Sequence, residues 1–596
     1  MLHGAWTEPR QFFFWLPLLG GLGFLGAGAL SYHHRPNLPL ALVARGCIVG
    51  VLLGLLAFIL AWVPPVWRFL VWVLARRVLL LVSLAIMVTL FYAVEDWRGR
   101  HAWQQFQREW QAKGERFDLA SFIPPVVPKE QNFFETPLWQ DLRWVETNRA
   151  EVWKDATREE DDTFSIYGPD PTGEPSLGNW ARGDRVDLVA WQGLYRGESN
   201  RVFWAEMSAL GSPADDALRR RYGPSATNYF PTAKEPQSPA ADVLLALTKY
   251  QDNRGLLIAG ADRPQSRFWL NYGAGSLVTF PHLTRIRTAI QYLALHENAA
   301  LENGDRQTAL QDVKLMFRLL DSVRREPLAS SHLVRTANLQ HALQPVWQGL
   351  ADRRWTAADL QAIEQELGNL DFVADYRLAN RGKLVCYWIP AVDCVRRTGV
   401  GALEPSCGSG SMSLSEEVLR CLASAIFLLA PSGWYDQNKT SLARLTEDYL
   451  LPVCDPQRRT LSPTVAARSQ SVLNQLRPRP YDLLSRLLIP EVARMAERFA
   501  YAQASVDLAR VACALAGYRL AHGDFPEALD VLTPKFIPAL PHDVINGEPL
   551  KYRRTDGGQF VLYSVGWNGA DDGGTFAFKN GRPDSEKGDW VWKYAR

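Results

Sequence analysis

Val78-Leu79-Leu80-Leu81-Val82-Ser83-Leu84-Ala85-Ile86-Met87-Val88-Thr89-Leu90-Phe91-Tyr92-Ala93-Val94 is a run of seventeen residues without a charge. As a helix rising about 1.5 Å per residue it reaches about 25 Å, close to the ~30 Å hydrocarbon core of a bilayer. Two runs of the same kind precede it, Phe12 to Leu30 (nineteen residues) and Gly46 to Val63 (eighteen). A core helix of a large soluble protein can be apolar all round, but three such runs within the first hundred residues predict a membrane anchor over residues 1–96. Ala27-Gly28-Ala29 has the small-x-small form of a signal-peptide cleavage site, and cleavage there would still leave two spans.

Arg68, Arg76 and Arg77 lie between the second and third runs, and Arg10 precedes all three. Placed on the cytoplasmic side by the positive-inside rule, they put the large C-terminal part outside, in the periplasm of an inner-membrane protein. Arg98, Arg100, Arg108 and Lys113 then follow the third span on the outer side, against that rule. Membrane lipid is one expected partner.

The rest is long enough for real cores, with 47% hydrophobic and 21% charged residues in a chain of 596. A net charge of +2 speaks against a nucleic-acid partner, which would call for a basic face. Of seven cysteines, Cys47 falls in the second run. The other six (Cys386, Cys394, Cys407, Cys421, Cys454 and Cys513) lack metal-site spacing, which leaves buried thiols and disulfides both open.

Beyond the anchor, residues 97–238 read as a membrane-proximal helix and an irregular strap. Trp103, Phe106 and Trp110 form an aromatic stripe at helical spacing, either an interfacial belt or a packing face. Phe122 to Pro137 holds four prolines and reads as extended. Thr157 to Asn179, rich in acids, glycine and proline, reads as an exposed loop.

Residues 239–489 read as a helical domain. Pro239–Tyr250 and His282–Glu302 have apolar faces at helical period. Asn303-Gly304-Asp305 is a turn short enough to make the next helix, carrying Ala309, Val313, Met316 and Leu320, an antiparallel neighbour. Thr356 and Asp359 form a capping box ahead of Leu360, Ile363 and Leu367. Further helices are expected near 331–350, 416–430 and 490–521. Gly304-Asp305-Arg306-Gln307-Thr308-Ala309-Leu310 resembles the start of the second helix of a tetratricopeptide repeat, without a regular 34-residue period around it. The stretch 240–371 is similar to tetratricopeptide-like helical regions of bacterial membrane-anchored proteins. These resemblances imply a helical-hairpin array and carry no activity.

Residues 490–596 change character. A long helix ends at His522-Gly523-Asp524-Phe525-Pro526, and strands are expected at Leu550–Arg553 and Gln559–Ser564. Gly523, Phe525, Pro526, Leu529, Leu532, Pro541, Asp543, Gly547, Tyr552, Phe560, Tyr563, Ser564, Gly566, Asn568 and Gly569 match a pattern over about 505–575. With them the segment resembles the globular end of type II secretion pseudopilins, which implies a small α+β module. The chain departs from that family in placing the module five hundred residues from its anchor, with no prepilin-peptidase site before Phe12.

In the loop after Ser564, Asn568, Asp571 and Asp572 offer hard oxygens within five residues. They are candidate calcium ligands, both from this chemistry and because some pseudopilins bind calcium there. The competing reading is an ordinary Asn/Asp/Gly turn. No HExxH, Walker loop or GxSxG is present, and neither Gly408-Ser409-Gly410-Ser411 nor Gly273-Ala274-Gly275 has the context of a site. His332 and His341, nine apart, read as structural. The fold class expected is mainly α: N-terminal transmembrane helices, a helical-hairpin array and a small C-terminal α+β module. Two functions follow, an envelope scaffold or assembly factor that binds other envelope proteins, or an envelope hydrolase whose site is assembled from residues distant in sequence.

Overall fold

The third apolar run lies within helix α1 (Pro64–Ala112). Its stretch Ala75–Ala112 is long and apolar enough to cross a membrane, by length and composition. Leu79, Leu80, Leu81 and Val82 are between 50% and 70% exposed. Four successive helical residues point to all sides of the axis, so this segment has no polar face to give to water. The computed structural model describes residues 64–143, 162–167, 175–197, 229–272, 278–398, 430–476, 479, 481–482, 484–485, 492–555, 558–579, 582–584 and 587–593. The runs at 12–30 and 46–63, the helix expected near 416–430, Cys47, Cys407, Cys421, Gly273–Gly275 and Gly408–Ser411 lie outside them.

The chain divides into two compact units, Met1–Trp97 and Arg98–Arg596. In the second, α2 (Leu188–Tyr195), α3 (Pro239–Leu247) and α4 (Gln251–Ala261) lead into the hairpin α5 (Pro281–Glu302) and α6 (Arg306–Ser322). Then come α7 (Ala329–Ala351), α8 (Ala357–Gly368), α9 (Phe372–Gly382) and α10 (Ile389–Thr398), with one wide helical turn, Lys383–Trp388, between the last two. α11 (Ser432–Leu445), α12 (Pro463–Asn474) and the 31-residue α13 (Val492–His522) complete the described α-helices of eight residues or more. β1 (Cys454–Asp455) and β2 (Thr460–Leu461) form a small ribbon.

The C-terminal strands are β3 (Lys551–Thr555), β4 (Gln559–Ser564), β5 (Phe578–Lys579), β6 (Arg582–Pro583) and β7 (Trp590–Trp592). β4 is central in an antiparallel sheet of order β3-β4-β7, with Tyr563 opposite Lys551 on one side and Val591 on the other. Residues 239–489 and 490–596, read from sequence as separate segments, share one core. α13 packs on α7, α8, α9 and α12 from the first and on β4 and β7 from the second.

The aromatic stripe is a packing face. Phe106 is buried and meets Phe117 with ring centroids 5.4 Å apart. The strap is tied down by one isolated parallel bridge, Asn132 to Gln265, and by side chains around it. Asn132 accepts from the Arg267 amide at 2.9 Å and donates to its carbonyl at 2.9 Å. Arg285 donates to the Leu138 carbonyl and grips Asp141 with both terminal nitrogens, at 2.6 and 2.7 Å. These bonds seat Phe133, Phe134 and Trp139 in the core.

The α5–α6 hairpin forms where the sequence places it. Gly304 has φ +87°, a left-handed conformation that favours glycine. Asp305 caps α6 by accepting from the Thr308 amide at 3.1 Å. Ala309 is fully buried, and Thr356 and Asp359 form the expected reciprocal capping box of α8. Ala309→Glu would place an unpaired charge between packed helices and is expected to destabilise the chain by ~3 kcal/mol or more. Gly304→Ala is expected to cost about 1 kcal/mol. Chemical denaturation of the two variants checks both, and a native-like Ala309→Glu would mean that this face is not a packing face.

Candidate functional site

Asp543 organises the C-terminal module. Its carboxylate accepts from the Ile545 amide (3.0 Å), the Ser564 hydroxyl (2.9 Å) and the Val565 amide (2.9 Å). It thereby staples the 543–547 turn to the end of β4. Burial pushes its pKa up against the pull of these bonds. Gly566, next along, has φ +69°, and a Cβ there would lie 2.5 Å from the Gly588 carbonyl oxygen. The 566–574 loop is therefore closed against the chain entering β7.

Asn568, Asp571 and Asp572 sit exposed in that loop, each engaged by near neighbours. Asp571 accepts from the Tyr563 hydroxyl (2.9 Å) and the Gly573 amide (3.0 Å). Asp572 accepts from the Asn568 side-chain amide (2.8 Å) and the Gly588 amide (2.9 Å). A residue missed from the sequence, Asp589, is buried behind them and accepts from the Asp572 and Gly574 amides at 3.2 and 2.6 Å. Burial raises its pKa, and the nearby charges of Asp572 and Asp571 raise it further. Among the described residues no group of three His, Cys, Asp or Glu is gathered as metal ligands would be.

A second polar constellation lies inside the helical region. Glu326 accepts from Ser331 Oγ at 2.5 Å and meets His282 Nε2 at 3.0 Å. His332 Nε2 lies 2.8 Å from the Glu326 carbonyl, and Arg335 binds Asp375 of α9 and the Leu320 carbonyl. Serine, histidine and glutamate in one cluster invite a hydrolase reading, but here both serine and histidine bind the same carboxylate. A nucleophile needs its base in direct contact. All three are buried, and the His282 ring is stacked on Phe268 at 4.1 Å. The cluster is a polar knot that joins α5, the turn before α7, and α7 itself. His332 is thus structural, as its helical position suggested, and its acidic neighbour comes from α9, which no spacing along α7 could reveal.

Two of the recesses that open among the described residues of the second unit are large enough to matter here. One, of about 510 Å³, lies among α4, α6 and the end of α8, where Lys314, Arg318 and Arg324 face Asp262, Asp321 and Glu366. The other, of about 320 Å³, lies between the C-terminal third of α13, the end of α7, the start of α8, and the sheet. Ala512 and Ala516, one turn apart on α13, leave the space. Trp347, Trp355, Phe525, Phe560 and Trp592 wall it, and among the described residues Arg353, Arg519 and Lys593 are the charged ones that line it. Trp347 Nε1 donates to the Lys593 carbonyl at 2.6 Å, which fixes the end of β7 against α7. In the sequence, Phe525 and Phe560 stand out only as parts of the pseudopilin-like pattern, and the remaining aromatic and charged residues of the wall do not stand out; the signal left unread is the small-residue spacing Ala512, Ala516 ahead of Gly523.

Cys386, Cys454 and Cys513 are free thiols. The disulfide alternative is not realised at these three: they are buried among helices, and burial pushes Cys386 up to about 12 and Cys454 to about 11. Such thiols are inert. Comparison with protein-family models, curated proteins and solved structures finds no match.

Burial, then the adjacent Arg335 charge, holds the His332 imidazole down to about 4 from 6.5. Between those values the unfolded chain binds the extra proton, so stability rises with pH across the window and is lost as pH falls through it. The loss assigned to this residue is up to about 3 kcal/mol. Denaturation midpoints from pH 7 to pH 4 are expected to fall less steeply in His332→Gln than in the parent chain; parallel curves would show that His332 does not set the acid limb.

Proposed function

We propose that this chain is a membrane-anchored scaffold or assembly factor of the cell envelope, whose helical unit lies outside the cytoplasm and binds other envelope proteins. One observation carries the reading. Among the described residues three histidine–carboxylate pairs could serve acid–base chemistry, His282–Glu326, His296–Asp312 and His332–Asp375, and none of them lines either recess. The first is sealed in the core, and the Asp312 carboxylate of the second is already bound by Arg254 at 2.8 Å. What the surface offers instead is recesses between helices with aromatic and charged walls, the material of binding rather than bond cleavage. The exposed apolar face of α1 supports the anchor, and Arg68, Arg76 and Arg77 support the orientation.

The test is affinity capture of the full chain from detergent-solubilised membranes after cross-linking. The expected result is recovery of defined envelope proteins in stoichiometric amount, reduced when Lys314→Glu reverses a charge in the larger recess. A reporter fused after Arg596 is expected to be active only on the oxidising side. Recovery of chaperones alone, with turnover of an ester or peptide library by the purified chain, would favour the hydrolase instead.

A calcium ion held by Asn568, Asp571 and Asp572 is a second proposal, favoured by the crowding of Asp571 and Asp572 with Asp589. Binding has to displace the Asn568–Asp572 bond, so the stabilisation expected is modest. Calcium should raise the melting temperature over chelator by mass action, and Asp571→Ala with Asp572→Ala should abolish the difference. Equal melting temperatures in the parent chain would leave a hydrogen-bonded turn.

A further inference from the structure

The recess among α4, α6 and the end of α8 carries charges that its own helices do not explain. Of the six charged residues that line it, three are answered within the chain. Arg318 donates to the Ala261 and Arg263 carbonyls at 3.1 and 2.7 Å and to Ser266 Oγ at 3.0 Å, which ties α6 to the end of α4. Arg324 pairs with Asp321 at 3.3 Å. The other three, Lys314, Asp262 and Glu366, form no ion pair and no side-chain hydrogen bond among the described residues. Lys314 and Glu366 line the same recess from neighbouring helices without closing on each other.

Unpaired surface charges ordinarily serve solubility or support a helix along its own length. Neither helix gains here. The residues three and four places from Lys314 on α6 are Leu310, Gln311, Phe317 and Arg318, which offer no acid and one like charge. Glu366 stands in the last turn of α8 and Asp262 directly after α4, positions where the helix dipole disfavours an anion. Ala362, Ile363, Asn369 and Leu370, at the same spacings from Glu366, offer no cation. Burial raises the pKa of Glu366 although the Lys314 charge pulls the other way. Solubility alone would not gather these groups around one cavity. At about 510 Å³ it falls inside the range of small-molecule sites, about 300–1,000 Å³. Leu315, Phe317 and Leu370 add apolar surface to its lining.

We propose that this recess binds a basic amino acid such as free lysine, whose two ammonium groups and one carboxylate complement the two acids and one cation left unpaired. The carboxylate pairs with Lys314, the ammonium groups pair with Glu366 and Asp262, and the methylene chain lies along Leu315 and Leu370. The inference goes beyond the scaffold reading, and the two fail separately, because lysine binding is read with no partner protein present.

The probe is L-lysine, titrated calorimetrically into the full chain in phosphatidylcholine nanodiscs against empty discs. L-norleucine lacks only the side-chain ammonium, and cadaverine lacks only the carboxylate. Lysine is expected to bind about tenfold more tightly than either, the size of one well-placed charge pair. Lys314→Met should weaken lysine about fivefold and leave cadaverine unchanged, whereas Glu366→Gln and Asp262→Asn should each weaken lysine by a similar factor. Absence of lysine binding, equal affinity for lysine and norleucine, or lysine binding indifferent to all three substitutions would overturn the proposal. So would a Lys314→Met chain that loses lysine and cadaverine alike. Should a variant fail to fold, the three ligands on the parent chain decide the matter by themselves.

Discussion

The second unit depends on burying most of one long helix. α13 is 31 residues long, and along it Ala496, Ala500, Ala502, Ala504, Ala509, Ala512 and Ala514 are buried together with Phe499, Val506, Leu508, Val511 and Leu515, while Arg494 and Arg498 near its start and Leu520 near its end are exposed. A helix whose middle is this apolar can only be internal there, and alanine lets its neighbours approach closely while losing no side-chain entropy on burial. α7, α8, α9 and α12 take part of its surface, and the edges of β2, β4 and β7 take more. Removing either set would leave a broad apolar face in water. Two segments with different sequence character are thereby made parts of one core.

Polar groups inside this core work as joints. Gln503 of α13 accepts from the Phe372 amide at 2.9 Å, satisfying an orphan donor at the start of α9, and donates to Asp507 at 3.1 Å. Arg510 forks onto Glu364 of α8 at 2.9 and 2.7 Å. An unpaired buried polar group costs a few kcal/mol, so a helix slipped by one turn along α13 would strand several at once. Apolar contacts supply the driving force, and these pairings fix the register. The knot at Glu326 has the same role for α5 and α7, which is why a set of residues with catalytic chemistry sits where no substrate arrives.

Signals that act over three to five residues were legible in the sequence. The turn at Gly304, the capping box at Thr356 and the strand from Gln559 to Ser564 each rest on local backbone chemistry, and each is found in place. The third apolar run was legible for the same reason, since a uniform composition needs no partner to be read. β7 was not, because Trp590-Val591-Trp592 is too short to show alternation and becomes a strand only beside β4. Helices α9 to α12 were missed where buried polar residues such as Asp375, Asn380, Asp436 and Asn438 interrupt the apolar period. Asp589 was missed because it closes the loop at Asp571 and Asp572 from fifteen or more residues away.

The recess on α13 follows from the same packing that makes the core. Upstream, the alanine face is covered closely by α8 and α9. At Ala512 and Ala516, α7 has reached its end and α8 is only starting, and the sheet arrives with Phe560 and Trp592, rings set in its strands. Helix on helix packs at 8–10 Å between axes, whereas a sheet packs at about 10 Å with its large side chains between. Small residues chosen for the first spacing cannot fill the second. Ala516 is only half-buried, so the gap opens to solvent and carries none of the cost of a sealed cavity. It marks the place where packing of helix on helix gives way to packing of helix on sheet.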